Sequence, residues 1–133
     1  MTENRWLNEE YAKIGAKLIE TDEYLVRVKD SSATIVYLSS DKAKKAYGRA
    51  VYGDCEKVPD KWKWSVPADY AIIVYEPNVA EMDEGKLQVV IYHELLHVGI
   101  SYDKDGNEVH SIVPHDINEF TAVAERFGID WDY

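Results

Sequence analysis

The segment His93-Glu94-Leu95-Leu96-His97 constrains this chain more than any other stretch. Its spacing asks for a helix, because residues four apart on a helix stand one above the other, about 6 Å along the axis. Both imidazoles can then reach one ion at roughly 2.0–2.1 Å, the usual zinc–nitrogen distance. Glu94 falls about 100° round from His93, beside the ion, where its carboxylate can take a proton from water that the ion activates. Leu87, Val89, Val90, Ile91, Leu95, Leu96 and Val98 make this helix apolar almost all round, so it is a buried one. Two imidazoles and a carboxylate in such a place cost on the order of several kcal/mol unless partnered. One metal ion partners all three. The competing arrangement, histidines bonded to backbone carbonyls with Glu94 in water, needs a separate partner for each group.

The limits of this helix are also written in the sequence. Asp83 is a suitable N-cap, Met82 and Leu87 stand where a hydrophobic staple needs them, and Gly99 is a natural stop. Upstream, Leu7, Tyr11, Ile14 and Leu18 predict an amphipathic helix over residues 5–20. Strands are expected at 24–29, 33–38 and 69–76, the last ended by Pro77-Asn78. A strand beside a metal helix can form the edge of a cleft along which an extended peptide adds, and the sequence leaves open whether residues 69–76 do so. Residues 41–48 read as a Lys-rich connector, a solvated loop or short helix. Ala50–Tyr52 and Cys55–Val58 suggest a strand interrupted at Gly53-Asp54 by a hairpin or bulge. Trp62 and Trp64 share a face in extended chain and are expected to cap a small core. Asp103-Lys104-Asp105-Gly106 marks a hairpin tip between residues 100–102 and 108–113. Its glycine is misplaced for a calcium loop.

The last element opens with Pro114-His115-Asp116-Ile117-Asn118-Glu119-Phe120. Asp116 and Glu119 have capping-box spacing, and Ile117, Phe120, Val123, Ala124 and Phe127 form an apolar stripe. A catalytic zinc keeps three protein ligands and an open fourth position. His93 and His97 supply two. His115 is the favoured third, because it stands at a rigid helix start after a chain return. Glu119 could replace it, Asp116 could orient a ligand imidazole, and His110 reads as a surface residue of the hairpin.

Composition narrows the alternatives. A chain of 133 residues with 46% hydrophobic and 30% charged residues fits one globular domain. The net charge of −10 argues against nucleic acid as the primary ligand. One cysteine, Cys55, excludes an internal disulfide or a C-x-x-C zinc ribbon. No signal-peptide core and no apolar run of membrane-spanning length stand in the sequence, so a cytoplasmic protein without membrane contact is expected. The sequence does not set the oligomeric state.

The blocks Asp69-Tyr-Ala-Ile-Ile-Val, His93-Glu94-Leu95-Leu96-His97 and Pro114-His115-Asp116-x-x-Glu119-Phe120 resemble the phage metallopeptidase family, over roughly residues 33–128 on a domain of ordinary size. More distantly they resemble SprT-like and minigluzincin proteins. The resemblance implies an α+β, zincin-like domain over residues 1–133. It would have a small twisted, mostly antiparallel sheet packed against an N-terminal helix, the buried H-E-x-x-H helix and a C-terminal helix. It implies a Zn2+ site with His93, His97 and His115 as ligands and Glu94 as catalytic base, a phage- or prophage-encoded origin, and a peptide or protein substrate. The basic zinc-ribbon extension of SprT-like proteins is missing, which argues against action on DNA-bound proteins. The expected function is therefore a zinc metallopeptidase. Its rivals are a zinc-binding, non-proteolytic phage protein that binds a host or phage partner, a metal-free interaction module using Trp62 and Trp64, and a cell-wall amidase.

Overall fold

The computed structural model describes residues 2–114. Strand β1 (Arg5–Leu7) pairs antiparallel with β2 (Ile35–Ser40), Leu7 opposite Leu38. Helix α1 therefore begins only at Glu9 and runs to Thr21, not from residue 5. Asn8 decides the boundary: its side-chain oxygen accepts from Tyr11 N at 3.1 Å, while its own N–H donates to Tyr37 O at 2.9 Å. Leu7 leaves the apolar stripe for the exposed strand, and Tyr11, Gly15 and Leu18 form the buried face. Gly15 is there for contact, since a Cβ at this position would overlap the Tyr37 ring.

The strand expected at 24–29 is helical. Asp22 accepts from Tyr24 N at 2.9 Å and opens a 3₁₀ turn, Glu23–Leu25, followed by the short helix α2 (Val26–Lys29). Leu25 and Val28, three apart, both point inward, a spacing that serves a helical turn and not an alternating strand. After β2 come β3 (Lys45–Ala46) and β4 (Arg49–Ala50), a small antiparallel hairpin where a plain connector was expected. Strand β5 (Gly53–Lys57) is continuous through Gly53 and Asp54, with no bulge in its register against β6 (Tyr70–Tyr75).

The main sheet has the order β1-β2-β6-β5, with β2 and β6 parallel and its outer pairs antiparallel. The expected strand at 69–76 is thus the interior β6, buried along its whole length. β5 stands at the sheet's end. Helix α3 (Glu76–Val79) leads to α4 (Glu84–Leu95), and the hairpin of β7 (Val98–Tyr102) with β8 (Glu108–Ile112) completes the described chain. The fold is α+β. One face of the sheet, through Tyr37, Tyr70, Ile72 and Val74, shares a core with Tyr11, Leu18, Ile91 and Leu95 of α1 and α4. Tyr92 OH donates to Asp22 at 2.9 Å and ties the two helices together.

Trp62, closing a 3₁₀ turn at Asp60–Trp62, and Trp64 are 50% and 81% exposed, so they do not cap a core. That turn breaks the extended spacing that would have put them on one face. Among the described residues no helix is long and apolar enough to cross a membrane.

Candidate metal centre

Asp83 caps α4 as expected, accepting from Lys86 N at 2.9 Å, and Val89 to Leu95 are all buried. The helix stops earlier than Gly99. Leu96 N still bonds Tyr92 O at 3.1 Å, but His97 N bonds Glu94 O at 3.1 Å, the tighter 3₁₀ spacing. Gly99 belongs to β7, where it lies against β8. A Cβ there would stand 3.0 Å from both Ser111 O and Val113 Cγ2, so the glycine serves close strand approach and not helix termination.

His93 lies on the last turn of α4 and His97 in the turn that follows. Their ring centroids are 5.2 Å apart and their planes are inclined at 70°. Relative exposures of 8% for His93, 3% for Glu94 and 7% for His97 mean that no group of the motif stands in open water. That contradicts the arrangement with a solvated Glu94. His97 Nε2 is 4.0 Å from Glu94 Oε1.

Val113 holds His97 from both sides. Its N–H donates to His97 O at 2.7 Å, and its carbonyl accepts from His97 Nδ1 at 2.5 Å. A carbonyl only accepts, so Nδ1 donates to it and Nε2 is the ring nitrogen turned toward the Glu94 side. This is the ring orientation a metal-ligating histidine takes, held by the backbone bond such ligands commonly make. The orientation of His97 is compatible with a metal ligand.

The facing wall is β5 and the approach to it. A cleft of about 420 Å³ is lined by residues 50–55, His93, Glu94, His97 and Ile112. Gly53 makes the approach possible: a Cβ there would lie 3.0 Å from Ile73 O, 3.2 Å from Glu94 Cγ and 3.3 Å from Val90 Cγ1. The sequence offers Gly53 as a turn or bulge signal; its use under Glu94 depends on a long-range contact. The Val113 carbonyl was equally invisible, because a backbone group carries no residue signature.

His110 is engaged elsewhere, with Nε2 at 2.7 Å from Glu108 Oε1 and Nδ1 at 3.8 Å from Asp69 Oδ1. Glu108 also accepts from Ser32 N at 3.1 Å, and the His110 bond holds its carboxyl below the usual carboxylate range. Among the described residues no group of three or more His, Cys, Asp or Glu side chains could hold a metal ion. His115, with its alternatives Asp116 and Glu119, lies outside the described residues.

A family model described as "Putative phage metallopeptidase" matches residues 5–133. The chain belongs to this family. The match extends well beyond the span of 33–128 suggested by the motif blocks, taking in β1 and α1. No curated protein and no solved structure matches this phage metallopeptidase family member. The family name carries a metal and a hydrolase class.

Proposed function

We propose that this protein is a zinc-dependent peptidase, with His93, His97 and His115 as metal ligands and Glu94 as general base. The observation that carries the reading is the state of His97. Its Nδ1 proton is committed to the Val113 carbonyl, and its Nε2 faces the buried Glu94 carboxylate on the wall of an open cleft. A bound zinc would supply the positive charge that polarises a scissile carbonyl and lowers the pKa of water toward about 7.

The chain's own residues do the rest. Glu94 accepts the proton of the attacking water and returns it to the leaving amine, a two-way transfer that needs a carboxylate sheltered from bulk solvent but open to the cleft. The Val113 bond keeps His97 from rotating. A peptide or protein chain lying between α4 and β5 would bring its scissile bond to these groups. The nearby strand β5, rather than β6, forms that wall.

The test is metal content of the protein purified without added metal, beside a His115→Ala variant. About one zinc per chain in the parent and far less in the variant is the expected result. Peptide-library cleavage by the parent, lost in Glu94→Gln while zinc is retained, would complete it. An intact fold that neither contains nor takes up zinc would overturn the reading.

A further inference from the structure

The β3–β4 hairpin stands out against the charge of the whole chain. The protein carries a net charge of −10, yet residues 42–49 hold Lys42, Lys44, Lys45 and Arg49 with no acidic residue among them. The fold places this hairpin at the candidate cleft. Lys45 pairs with Ala50, Arg49 precedes it, and the wall begins at Ala50. Paired residues of an antiparallel ladder share a face, with Cα atoms about 5 Å apart, so Lys45 stands on the face of Ala50 within a side chain's reach of the cleft mouth, while Arg49, paired with Ala46, stands on the other face.

Its base is fixed. Asn78 Nδ2 donates to Lys44 O at 2.8 Å and to Val51 O at 2.7 Å, and Val51 N donates to Lys44 O at 3.0 Å. Lys44 is paired with Asp54, which also accepts from Tyr75 OH at 2.7 Å. That pairing neutralises the carboxylate on the cleft wall. Lys42, Lys45 and Arg49 are exposed and form no ion pair among the described residues. At the tip, Tyr47 and Gly48 have φ of 53° and 77°, the two positive values of a tight two-residue hairpin turn, and Tyr47 is fully exposed. A solvated loop needs neither the anchored base nor the aromatic tip.

We propose that this hairpin is a specificity element that selects acidic peptide segments entering the cleft, with Lys45 meeting a substrate carboxylate. The proposal rests on the peptidase reading for the position of the scissile bond, and its test separates the two. Fluorescence anisotropy would measure binding of three labelled peptides, alike except for flanking Glu, Gln or Lys residues, to Glu94→Gln protein. A second protein would add Lys45→Glu and a third Arg49→Glu, the change on the other face, both exposed and checked by thermal melting. The Glu peptide should bind about threefold tighter than the Gln peptide, in line with one partly screened ion pair, and Arg49→Glu should leave most of that preference in place. The advantage should vanish at about 0.5 M salt. The Lys45→Glu protein should prefer the Lys peptide. Equal binding of all three peptides, no binding of any, or a preference untouched by Lys45→Glu would overturn the assignment. The same peptides incubated with the parent read the other question. Acid-selective binding without cleavage refutes the peptidase reading and leaves the hairpin's role standing; cleavage without charge preference does the reverse.

Discussion

Replacing Gly53 with alanine tests whether the cleft geometry is set by one missing methyl group. Gly53 does not occupy the left-handed region, so its backbone accepts alanine and only contact decides the outcome. The new Cβ would stand 3.0 Å from Ile73 O, a backbone atom held in the sheet, and 3.2 Å from Glu94 Cγ. Overpacking of this kind costs about 1–3 kcal/mol. The alanine returns about 0.4–1 kcal/mol by restricting the unfolded chain. The net loss is then between about 0 and 2.6 kcal/mol, or up to roughly 10 °C in Tm for a domain of this size. Relief must come from β5 moving outward or Glu94 moving along the cleft by a few tenths of an ångström. A catalytic group tolerates about 0.5 Å of error, and about 1 Å can cost a hundredfold. On the proposed zinc-peptidase reading, Gly53→Ala should therefore lower kcat about three- to tenfold with zinc content unchanged, because the new methyl group's nearest contacts do not include His93 or His97. Thermal melting, metal analysis and steady-state kinetics on one preparation would decide. A fallen Tm with unchanged kcat would refute the link from Gly53 to Glu94; a raised Tm would refute the contact argument itself.

Gly15→Ala should also destabilise, by about 1–3 kcal/mol, although alanine favours a helix interior by about 1 kcal/mol, because the Cβ overlaps the Tyr37 ring. Gly85→Ala is its control: the nearest atom to that Cβ is Asp83 Oδ1 at 3.4 Å, an ordinary contact, so urea melts should show equal or higher stability. Glu108 titrates below its unfolded value, about 4.3, so its stabilising contribution is present above that pH and is lost as pH falls through the lower folded value. Glu108→Gln should flatten the acid limb of Tm against pH between about 5 and 3; an unaltered acid limb would remove the role of the bonds from His110 and Ser32.

The helix that carries the site was legible because its signals are local. An N-cap at Asp83, an unbroken apolar run and the four-residue histidine spacing all lie within one short stretch. The interior strand β6 was legible for the same reason, a β-rich run closed by proline. Errors arose where local preference met a distant partner. Arg5–Leu7 abandons its helical stripe because β2 offers a strand to pair with. Residues 24–29 are a local exception: they have alternating β-branched character, but the adjacent Asp22 supplies a cap that turns them into helix. Gly99 has the composition of a helix stop and the position of a strand contact, because β8 competes for the same backbone.

The sequence by itself determined the chemistry available: two imidazoles and a carboxylate at helical spacing on a buried helix, in a chain of net charge −10. Side-chain identity and local periodicity suffice for that, since both act within a few residues. Only the tertiary structure decided how those groups are presented. It turned His97 Nδ1 toward the carbonyl of Val113, sixteen residues away, and brought Gly53 of β5 beneath Glu94. It also set a basic hairpin beside the cleft. Those are contacts between backbone groups, absent methyls and elements remote in sequence. They exist only once the sheet, α4 and the β7–β8 hairpin have packed.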